Sequence, residues 1–462
     1  MRIGLALLAL IAANPVAMGR SSVAATSTHG SEDSTVARIQ TCEAKTTALF
    51  LDLAQGHASA AMEHFSNAMR SRLNTKGLVS LWADMGEEQS RYHPQPRVIN
   101  GLVEVTVPLH FAAGDFITHL SCGPDGKLRD FQLAPISRPL PPPAATSTFR
   151  EVELEIGKPP MRLGTTLTLP NGKGPFPGVV LVSGAGVHDR DESFGSSRPL
   201  RDIARGLADY GIASLRYDKP AFDHPLAFID TPYTIDNEYT DPALDAINRL
   251  RITPKIDPQR VFLLGHSQGG EMAPRIGQRE PSIAGLILVA APAKTLPEYF
   301  QTVEQSSRRL ARLYPQYANQ IQQNTATVAA IQNWLAQADP KHPEALGPDG
   351  APASYWLSLR AYKSQTNAVA KALKQPMLIL QGGRDDSVSP KDDFGRWQLA
   401  FAHNPRVTLK EYPTLSHLMT PVSASRQSAA SKNPVHVDGQ VIEDIARWIL
   451  AQKPAHEDVA GH

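Results

Sequence analysis

The segment VFLLGHSQGG at residues 261–270 joins an apolar run to a serine flanked by glycines. Residues 261–264 have the length and composition of a buried strand, and 270–278 have helical periodicity. Gly-x-Ser-x-Gly between a strand and a helix is typical of a sharp turn that lifts a serine above a sheet. The flanking glycines avoid collisions with the neighbouring strand and helix. We therefore predict Ser267 as a nucleophile, against the alternative of a glycine-rich turn with an incidental serine.

The same alternation of apolar runs and helical stretches extends to both sides of this turn. Continuous apolar strands separated by helices indicate an α/β fold with a doubly wound, mostly parallel sheet. Residues 294–374 interrupt the alternation with helical spacing, which predicts a helical cap insert over Ser267. The alternative is a surface excursion that packs away from the site. The predicted strands lie at 178–182, 213–217, 261–264, 286–290 and 377–380.

A serine hydroxyl is a weak nucleophile and needs an adjacent base, which an acid orients. In this type of site the chain order is serine, acid, histidine. The glycine-rich turn after residue 380 carries two candidate acids, Asp385 and Asp386. The loop after the last predicted strand, 407–412, carries His417. We predict His417 as the base and one of the two aspartates as its partner.

Two backbone N–H groups are predicted to bind a negatively charged oxygen during the reaction. The Gln268 N–H lies at the start of the helix after the nucleophile. The Ala185 N–H lies in the loop after the third strand, where the second donor is expected. The glycines beside Ala185 could also begin a dinucleotide-binding motif, but Asp189 occupies the position of its third glycine. We therefore predict no cofactor.

Composition excludes several classes of function. Lys and Arg total 46 and Asp and Glu total 45, a net charge of +1. This balance argues against a nucleic-acid partner, which would need clustered excess positive charge. The histidines of the N-terminal region are scattered and lack metal-ligand spacing, so we predict no metal site.

Residues 1–25 have the layout of a secretory signal peptide: a positive start, an apolar run and small residues. The alternative is a transmembrane anchor, but the run 3–16 is shorter than the ~18–20 residues that a span needs. We therefore predict a periplasmic or secreted protein without a stable membrane span.

Three further segments follow the predicted signal peptide. Residues 35–137 show helical spacing and then strand alternation, which predicts a small α+β domain. A proline-rich linker is predicted at 138–148, and the α/β domain at 149–455.

The only two cysteines, Cys42 and Cys122, both fall in the small N-terminal domain. An oxidising compartment favours a disulfide between them. The alternative is that Cys42 is a small apolar residue on its helix face.

Several motifs resemble those of bacterial α/β-hydrolase carboxylesterases that carry a small N-terminal domain of unknown function. In that family the acid precedes x-x-Val, which corresponds to Asp385, and a final Tyr-Pro-x-x-x-His matches residues 412–417. The chain departs from the family at Ser183, usually His, and at Ala185, usually Ser. The matching segments are LGTTLTLP at 163–170, GAGVHDRDE at 184–192, RYDK at 216–219, and the serine turn.

The resemblance implies an α/β-hydrolase that cleaves small-molecule carboxylic esters through a Ser-His-Asp triad and an acyl-enzyme, without metal or cofactor. Within the insert, Trp334 and Trp356 are predicted to line the substrate pocket. A peptidase or a thioesterase with the same triad is one alternative. A non-catalytic secreted binding protein that kept the fold is another.

Overall fold

The computed structural model describes two compact units, 32–135 and 144–452. The predicted signal peptide, 1–25, lies outside the described residues. Within these units the described residues exclude 71–74, 92–93, 100–101, 112–113, 159–160, 195–196, 225–232, 314–317, 346, 349–350 and 423–434.

The first unit packs helices against an antiparallel sheet. Its helices are α1 (Glu32–Ala54), α2 (Ala58–Glu63), α3 (Asn67–Arg70) and α4 (Thr75–Asp84). Its strands are β1 (Glu88–Arg91), β2 (Gln95–Ile99), β3 (Leu102–Phe111), β4 (Gly114–Cys122) and β5 (Leu128–Pro135). The strand order is β1-β3-β4-β5, and β2 also pairs with β3. The apolar face of α1 is buried in the core with Val103, Val105 and Val107, alternate residues of β3.

A disulfide joins Cys42 of α1 to Cys122 at the end of β4, as the sequence predicts. The two Cα atoms are 5.8 Å apart, and 80 residues separate them along the chain. Both cysteines are buried in the apolar core of the unit. A cross-link over a loop of this length restricts the unfolded chain and stabilises the folded unit by about 4 kcal/mol in the chain-entropy picture.

The second unit contains an eight-stranded sheet in the order β13-β12-β11-β10-β8-β9-β7-β6. Among these strands only β7 runs against the others, because both of its pairings are antiparallel while those from β9 to β13 are parallel. The predicted mostly parallel, doubly wound sheet is therefore confirmed. The strands are β6 (Phe149–Lys158), β7 (Met161–Pro170), β8 (Phe176–Val182), β9 (Ala213–Tyr217), β10 (Ile256–His266), β11 (Leu286–Val289), β12 (Met377–Gly382) and β13 (Val407–Tyr412).

Helices cover both faces of this sheet. Strand residues alternate between two cores: Val180 and Val182 belong to one, and Val179 and Leu181 to the other. A sheet buried on both faces needs continuous apolar strands, which is the pattern seen in the sequence. The flanking helices are α5 (Pro199–Asp209), α6 (Pro220–Asp223), α7 (Asp241–Arg251), α8 (Gln268–Arg279), α13 (Gly395–Phe401) and α14 (Gly439–Ala451).

The insert between β11 and β12 is helical, as predicted. It packs onto α8, the helix that follows Ser267. The Tyr362 hydroxyl donates a hydrogen bond to the Glu271 carbonyl at 2.9 Å, and Lys363 pairs with the Glu271 carboxylate at 2.5 Å. The insert comprises α9 (Leu296–Leu313), α10 (Ala318–Gln337), α11 (Ala353–Lys363) and α12 (Thr366–Ala372).

The described part of the predicted linker, 144–148, belongs to the second unit. The Glu151 N–H donates to the Ala144 carbonyl at 2.7 Å, and the Thr146 N–H donates to the Phe149 carbonyl at 2.8 Å. These bonds fold 144–148 back onto β6, and the predicted domain boundaries stay a prediction.

The disulfide generates the first testable prediction. Replacing both Cys42 and Cys122 with alanine should lower the free energy of unfolding of the first unit by about 2–4 kcal/mol, because the unfolded chain regains its freedom. Urea unfolding of wild type with and without reductant provides the comparison, and reduced wild type should match the double variant. Alkylation of two thiols in folded, unreduced protein would contradict the bridge.

Candidate active site

The turn at Ser267 is held by close contact between backbone segments. A Cβ on Gly265 would lie 2.2 Å from the Gly269 carbonyl oxygen, and a Cβ on Gly269 would lie 2.5 Å from the Ser183 carbonyl oxygen. Ser267 itself has φ 51° and ψ −122°, a conformation that side chains rarely adopt. Its N–H donates to the Val289 carbonyl at 2.8 Å. The surrounding backbone thus fixes the strained residue between β10 and α8.

The structure brings the three predicted triad residues together. His417 Nε2 lies 3.1 Å from Ser267 Oγ, and His417 Nδ1 lies 2.8 Å from Asp385 Oδ2. Both distances allow hydrogen bonds, and all three residues are buried. The histidine can therefore accept the serine proton while the carboxylate holds the imidazole in place.

The environment of the two neighbouring aspartates distinguishes them. Asp385 Oδ1 accepts the N–H groups of Ser387 and Val388, both at 2.8 Å, and Oδ2 also accepts Gln381 Nε2 at 2.9 Å. These donors hold the carboxylate against His417. Asp386 is exposed, and its side chain meets only the Ser387 hydroxyl, at 3.4 Å, among the hydrogen bonds of the described residues. The geometry favours Asp385 as the acid.

The two predicted oxyanion donors lie beside the nucleophile. Gln268 is the first residue of α8 and directly follows Ser267. Ala185 directly follows Gly184, and a Cβ added to Gly184 would lie 3.0 Å from Ser267 Cβ. Within the part of the chain that the structure describes, neither N–H group donates to a protein acceptor. Both donors are therefore free to bind a substrate oxygen.

The amino-acid sequence of this chain is similar to a known hydrolase family and to a bacterial esterase. Residues 236–420 match the family described as serine aminopeptidase, S33. The chain is 28% identical to the esterase EstD of Thermotoga maritima over 402 residues, which cover 85% of this chain and 91% of EstD. These matches support a bacterial α/β-hydrolase esterase family for this chain.

Two solved esterase structures are among those to which this chain is similar. Est1E from Butyrivibrio proteoclasticus is 16% identical, with 65% of this chain and 99% of that chain covered at a TM-score of 0.42. An esterase of Pyrococcus furiosus is 14% identical, with 66% of this chain and 92% of that chain covered at a TM-score of 0.41.

In this protein, four consecutive buried residues anchor the loop after β8. Each charged side chain of 189–192 bonds to a different partner. These partners connect the loop to residues at its own two ends, to β9 and to the residue that follows β9. The bonds are Asp189 Oδ1 with the Ser193 N–H at 3.0 Å, Arg190 with Asp218 at 2.6 Å, Asp191 with Arg216 at 2.7 Å, and Glu192 Oε1 with the Gly184 N–H at 2.8 Å.

The last of these residues also bonds to His266, next to the nucleophile. His266 Nδ1 lies 2.9 Å from Glu192 Oε1, and His266 Nε2 lies 2.9 Å from the His417 carbonyl oxygen. Both partners are acceptors, so both ring nitrogens carry protons and His266 is an imidazolium. Burial alone would lower the pKa of His266, but the Glu192 carboxylate outweighs burial and raises it. Burial alone would raise the pKa of Glu192, but His266 lowers it to about 2.

A small cavity of about 20 Å³ lies where the insert meets the loop after β8. Gly186 and Lys219 line it from the sheet side, and Pro352 and Tyr355 line it from the insert. The insert therefore meets the loop that carries Ala185, and its role as a cap over Ser267 stays a prediction.

The two predicted substrate-binding tryptophans do not line this cavity. Trp356 is only 2% exposed and packs against Phe300 and Tyr355, with ring centroids 6.2 and 5.9 Å apart. Trp334 is partly buried against the same core. Neighbouring residues on a helix point in different directions, so Tyr355 reaches the cavity and Trp356 fills the core. The sequence indicated Tyr355 among the aromatic residues of the insert that could line a pocket, but it did not show that Tyr355 faces this cavity rather than Trp334 or Trp356.

The described residues contain no group of three or more His, Cys, Asp or Glu side chains that could hold a metal ion. None of the described helices combines the length and apolar character needed to cross a membrane. Sequence reasoning missed Glu192 as a part of the site, because its role depends on contacts with Gly184 and with the distant His266.

The two aspartates generate a prediction about turnover. Asp385→Asn should lower kcat on the order of 10⁴-fold, because the imidazole loses the carboxylate that sets its tautomer and charge. Asp386→Asn, the matched control in the adjacent position, should stay within about threefold of wild type, because its side chain is exposed. Steady-state kinetics on folded variants checks this order, and the reverse order would reassign the acid.

The buried pair of Glu192 and His266 generates a prediction about pH. Glu192→Gln should lower the free energy of unfolding by about 3–5 kcal/mol, because it leaves a buried charge unpaired. Because the pKa of Glu192 is lower in the folded protein than its ordinary value of 4.5, its ionised carboxylate stabilises the fold at pH values above 4.5. This contribution is lost as the pH falls toward about 2. Because the pKa of His266 is higher in the folded protein than its ordinary value of 6.5, the charged imidazole contributes its full stabilisation at pH values below 6.5. This contribution decreases as the pH rises through the pKa of His266 in the folded protein.

The difference between wild type and Glu192→Gln should therefore be largest between pH 4.5 and 6.5. Urea unfolding at a series of pH values measures it. The control is His436→Asn, which removes the ion pair between the exposed His436 and Asp202. It should lower the free energy of unfolding by less than about 1 kcal/mol. A Glu192→Gln effect independent of pH would contradict the ionic pairing.

Proposed function

We propose that the protein hydrolyses carboxylic esters of small molecules through an acyl-enzyme on Ser267. The observation that carries this proposal is the continuous chain of contacts from Ser267 Oγ through His417 to Asp385, at 3.1 and 2.8 Å. The free N–H groups of Gln268 and Ala185 beside it supply the second requirement, a place for negative charge.

In the proposed mechanism, His417 Nε2 takes the Ser267 proton as Oγ attacks the ester carbonyl carbon. The carbonyl oxygen becomes negative, and the N–H groups of Gln268 and Ala185 stabilise it. The C–O bond to the alcohol then breaks, and His417 gives its proton to the departing alcohol oxygen. Water repeats the sequence on the acyl-enzyme, which releases the acid and restores the serine. Asp385 stays ionised and stabilises the imidazolium in both halves.

Ester substrates are favoured over peptides and thioesters by the similarity to EstD, which extends over 85% of this chain. The match to the serine aminopeptidase family covers only residues 236–420. A peptidase or thioesterase would use the same triad, so the experiment below includes a substrate for each of these two activities. A non-catalytic binding protein is disfavoured because the triad is complete and its distances allow proton transfer.

The proposed compartment is the periplasm or the extracellular medium. The signal-like sequence of residues 1–25 and the disulfide between Cys42 and Cys122 support it. Disulfides persist in oxidising compartments and are rare in the cytosol.

The decisive experiment compares wild type with Ser267→Ala on three substrates: a short-chain p-nitrophenyl ester, an amino-acid p-nitroanilide and an acyl-CoA. Wild type should prefer the ester. Ser267→Ala should keep the fold and less than about a thousandth of the turnover, because the nucleophile is gone. Ser282→Ala, which removes a serine hydroxyl bonded to Arg251 and Glu280, is the matched control and should keep wild-type turnover.

Preference for the p-nitroanilide or the acyl-CoA would replace ester hydrolysis with peptidase or thioesterase activity. Full activity in Ser267→Ala would reject the nucleophile.

A further inference from the structure

One peptide group connects the proposed oxyanion site to a buried charge. The Ala185 N–H belongs to the same peptide unit as the Gly184 carbonyl. In a planar trans peptide the N–H and the C=O point in opposite directions. A group that binds the Gly184 carbonyl oxygen therefore sets the direction of the Ala185 N–H.

Lys219 is that group. Its Nζ donates to the Gly184 carbonyl oxygen at 2.9 Å, and it lies 2.8 Å from the Tyr239 hydroxyl and 2.9 Å from Glu238 Oε1. The three donors of one ammonium group thus meet three oxygens. Lys219 is only 2% exposed, so these partners replace the water that the charge has lost.

Tyr239 extends the contact to the second proposed donor. Its hydroxyl lies 3.2 Å from the Gly184 carbonyl oxygen and 3.0 Å from Gln268 Oε1, and it can donate its proton to either. Its ring also lies under the Lys219 ammonium, 4.2 Å from the ring centroid. Lys219 and Tyr239 therefore both contact the carbonyl of the Gly184–Ala185 peptide, and Tyr239 also contacts the side chain of Gln268.

The surrounding charges keep Lys219 in place. Glu238 neutralises it, and the Tyr233 hydroxyl donates to the other carboxylate oxygen of Glu238. Glu238, Tyr233 and Tyr239 are also buried. A fully paired network of this kind holds one geometry, because each alternative leaves a buried polar group without a partner.

We propose that Lys219, assisted by Tyr239, is a positioning residue that orients and polarises the Gly184–Ala185 peptide, so that the Ala185 N–H binds the transition-state oxyanion. This inference rests on the proposed ester hydrolysis. Hydrogen bonds to a carbonyl oxygen strengthen the N–H donor of the same peptide. The effect grows as negative charge develops, so it should stabilise the transition state more than the bound substrate.

The first test uses conservative variants. Tyr239→Phe removes the hydroxyl that contacts the Gly184 carbonyl and the Gln268 side chain, and it keeps the ring. Tyr299→Phe is the matched control, because the Tyr299 hydroxyl is buried without a hydrogen-bond partner among the described residues. Tyr239→Phe should lower kcat about 3–10-fold with KM within about twofold of wild type, a fraction of the loss from a missing oxyanion donor. Tyr299→Phe should leave both constants unchanged.

The second test removes the charge. Lys219→Met combined with Glu238→Gln removes the ammonium without leaving a buried carboxylate. Lys363→Met combined with Glu271→Gln removes a second buried pair in the same unit as the control. The first double variant should lower kcat on the order of 10–100-fold per titrated active site, and the second less than about threefold.

A trifluoromethyl ketone distinguishes positioning from simple structural support. Ser267 adds to its carbonyl, and the resulting oxyanion occupies the place of the transition-state oxygen. Its inhibition constant should rise by the same factor as kcat/KM falls across the series. Loss of thermal stability with unchanged kcat and inhibition constant, or a rise in KM alone, would overturn the proposal.

The remaining experimental outcomes distinguish failure of the positioning role from failure of the proposed function. If the Lys219→Met, Glu238→Gln protein does not fold, the comparison of Tyr239→Phe with Tyr299→Phe decides alone, and equal kcat values overturn the proposal. If wild type cleaves no ester, or if Ser267→Ala remains active, the proposed function fails. If wild type is active, Ser267→Ala is inactive and the Lys219 and Tyr239 variants match their controls, only the positioning role fails.

Discussion

Close packing of backbone around Ser267 is the constraint on which the rest of the site depends. A Cβ on Gly265 would lie 2.2 Å from the Gly269 carbonyl oxygen, and a Cβ on Gly269 would lie 2.5 Å from the Ser183 carbonyl oxygen. Only glycine permits both contacts. They place the end of β8, the end of β10 and the start of α8 side by side, which brings the two N–H groups that we propose as oxyanion donors, one from each loop, close to the serine. The strain at Ser267 persists because these neighbours leave it no other conformation.

Buried charges hold the loops that this packing brings together. The side chains of 189–192 connect the loop after β8 to β9 and to His266, and Lys219 holds the Gly184 carbonyl. Buried ion pairs add little net stability compared with apolar packing of similar volume. Their value here is that each partner is satisfied in only one arrangement. The network links the histidine loop, the nucleophile and the oxyanion loop into one rigid site.

Local patterns in the sequence were sufficient to predict the sheet and the three side chains that the structure brings together at Ser267. Apolar strands buried on both faces, the glycines around Ser267 and the order of serine, acid and histidine all follow from short segments. The acid could not be chosen from the residues alone, because Asp385 and Asp386 share one turn and differ only in what the fold places around them. The same limit explains Trp356, whose helix rotates it into the core, and Lys219, which meets Gly184 only in the folded chain.

The most direct test of the account is to map the adduct that a fluorophosphonate forms with the folded protein. Mass spectrometry after proteolysis should find one modified peptide, labelled at Ser267, and labelling should disappear in His417→Ala because the serine loses its base. Labelling of a different serine, or no labelling of a protein that nevertheless cleaves esters, would contradict the nucleophile on which the proposed chemistry rests.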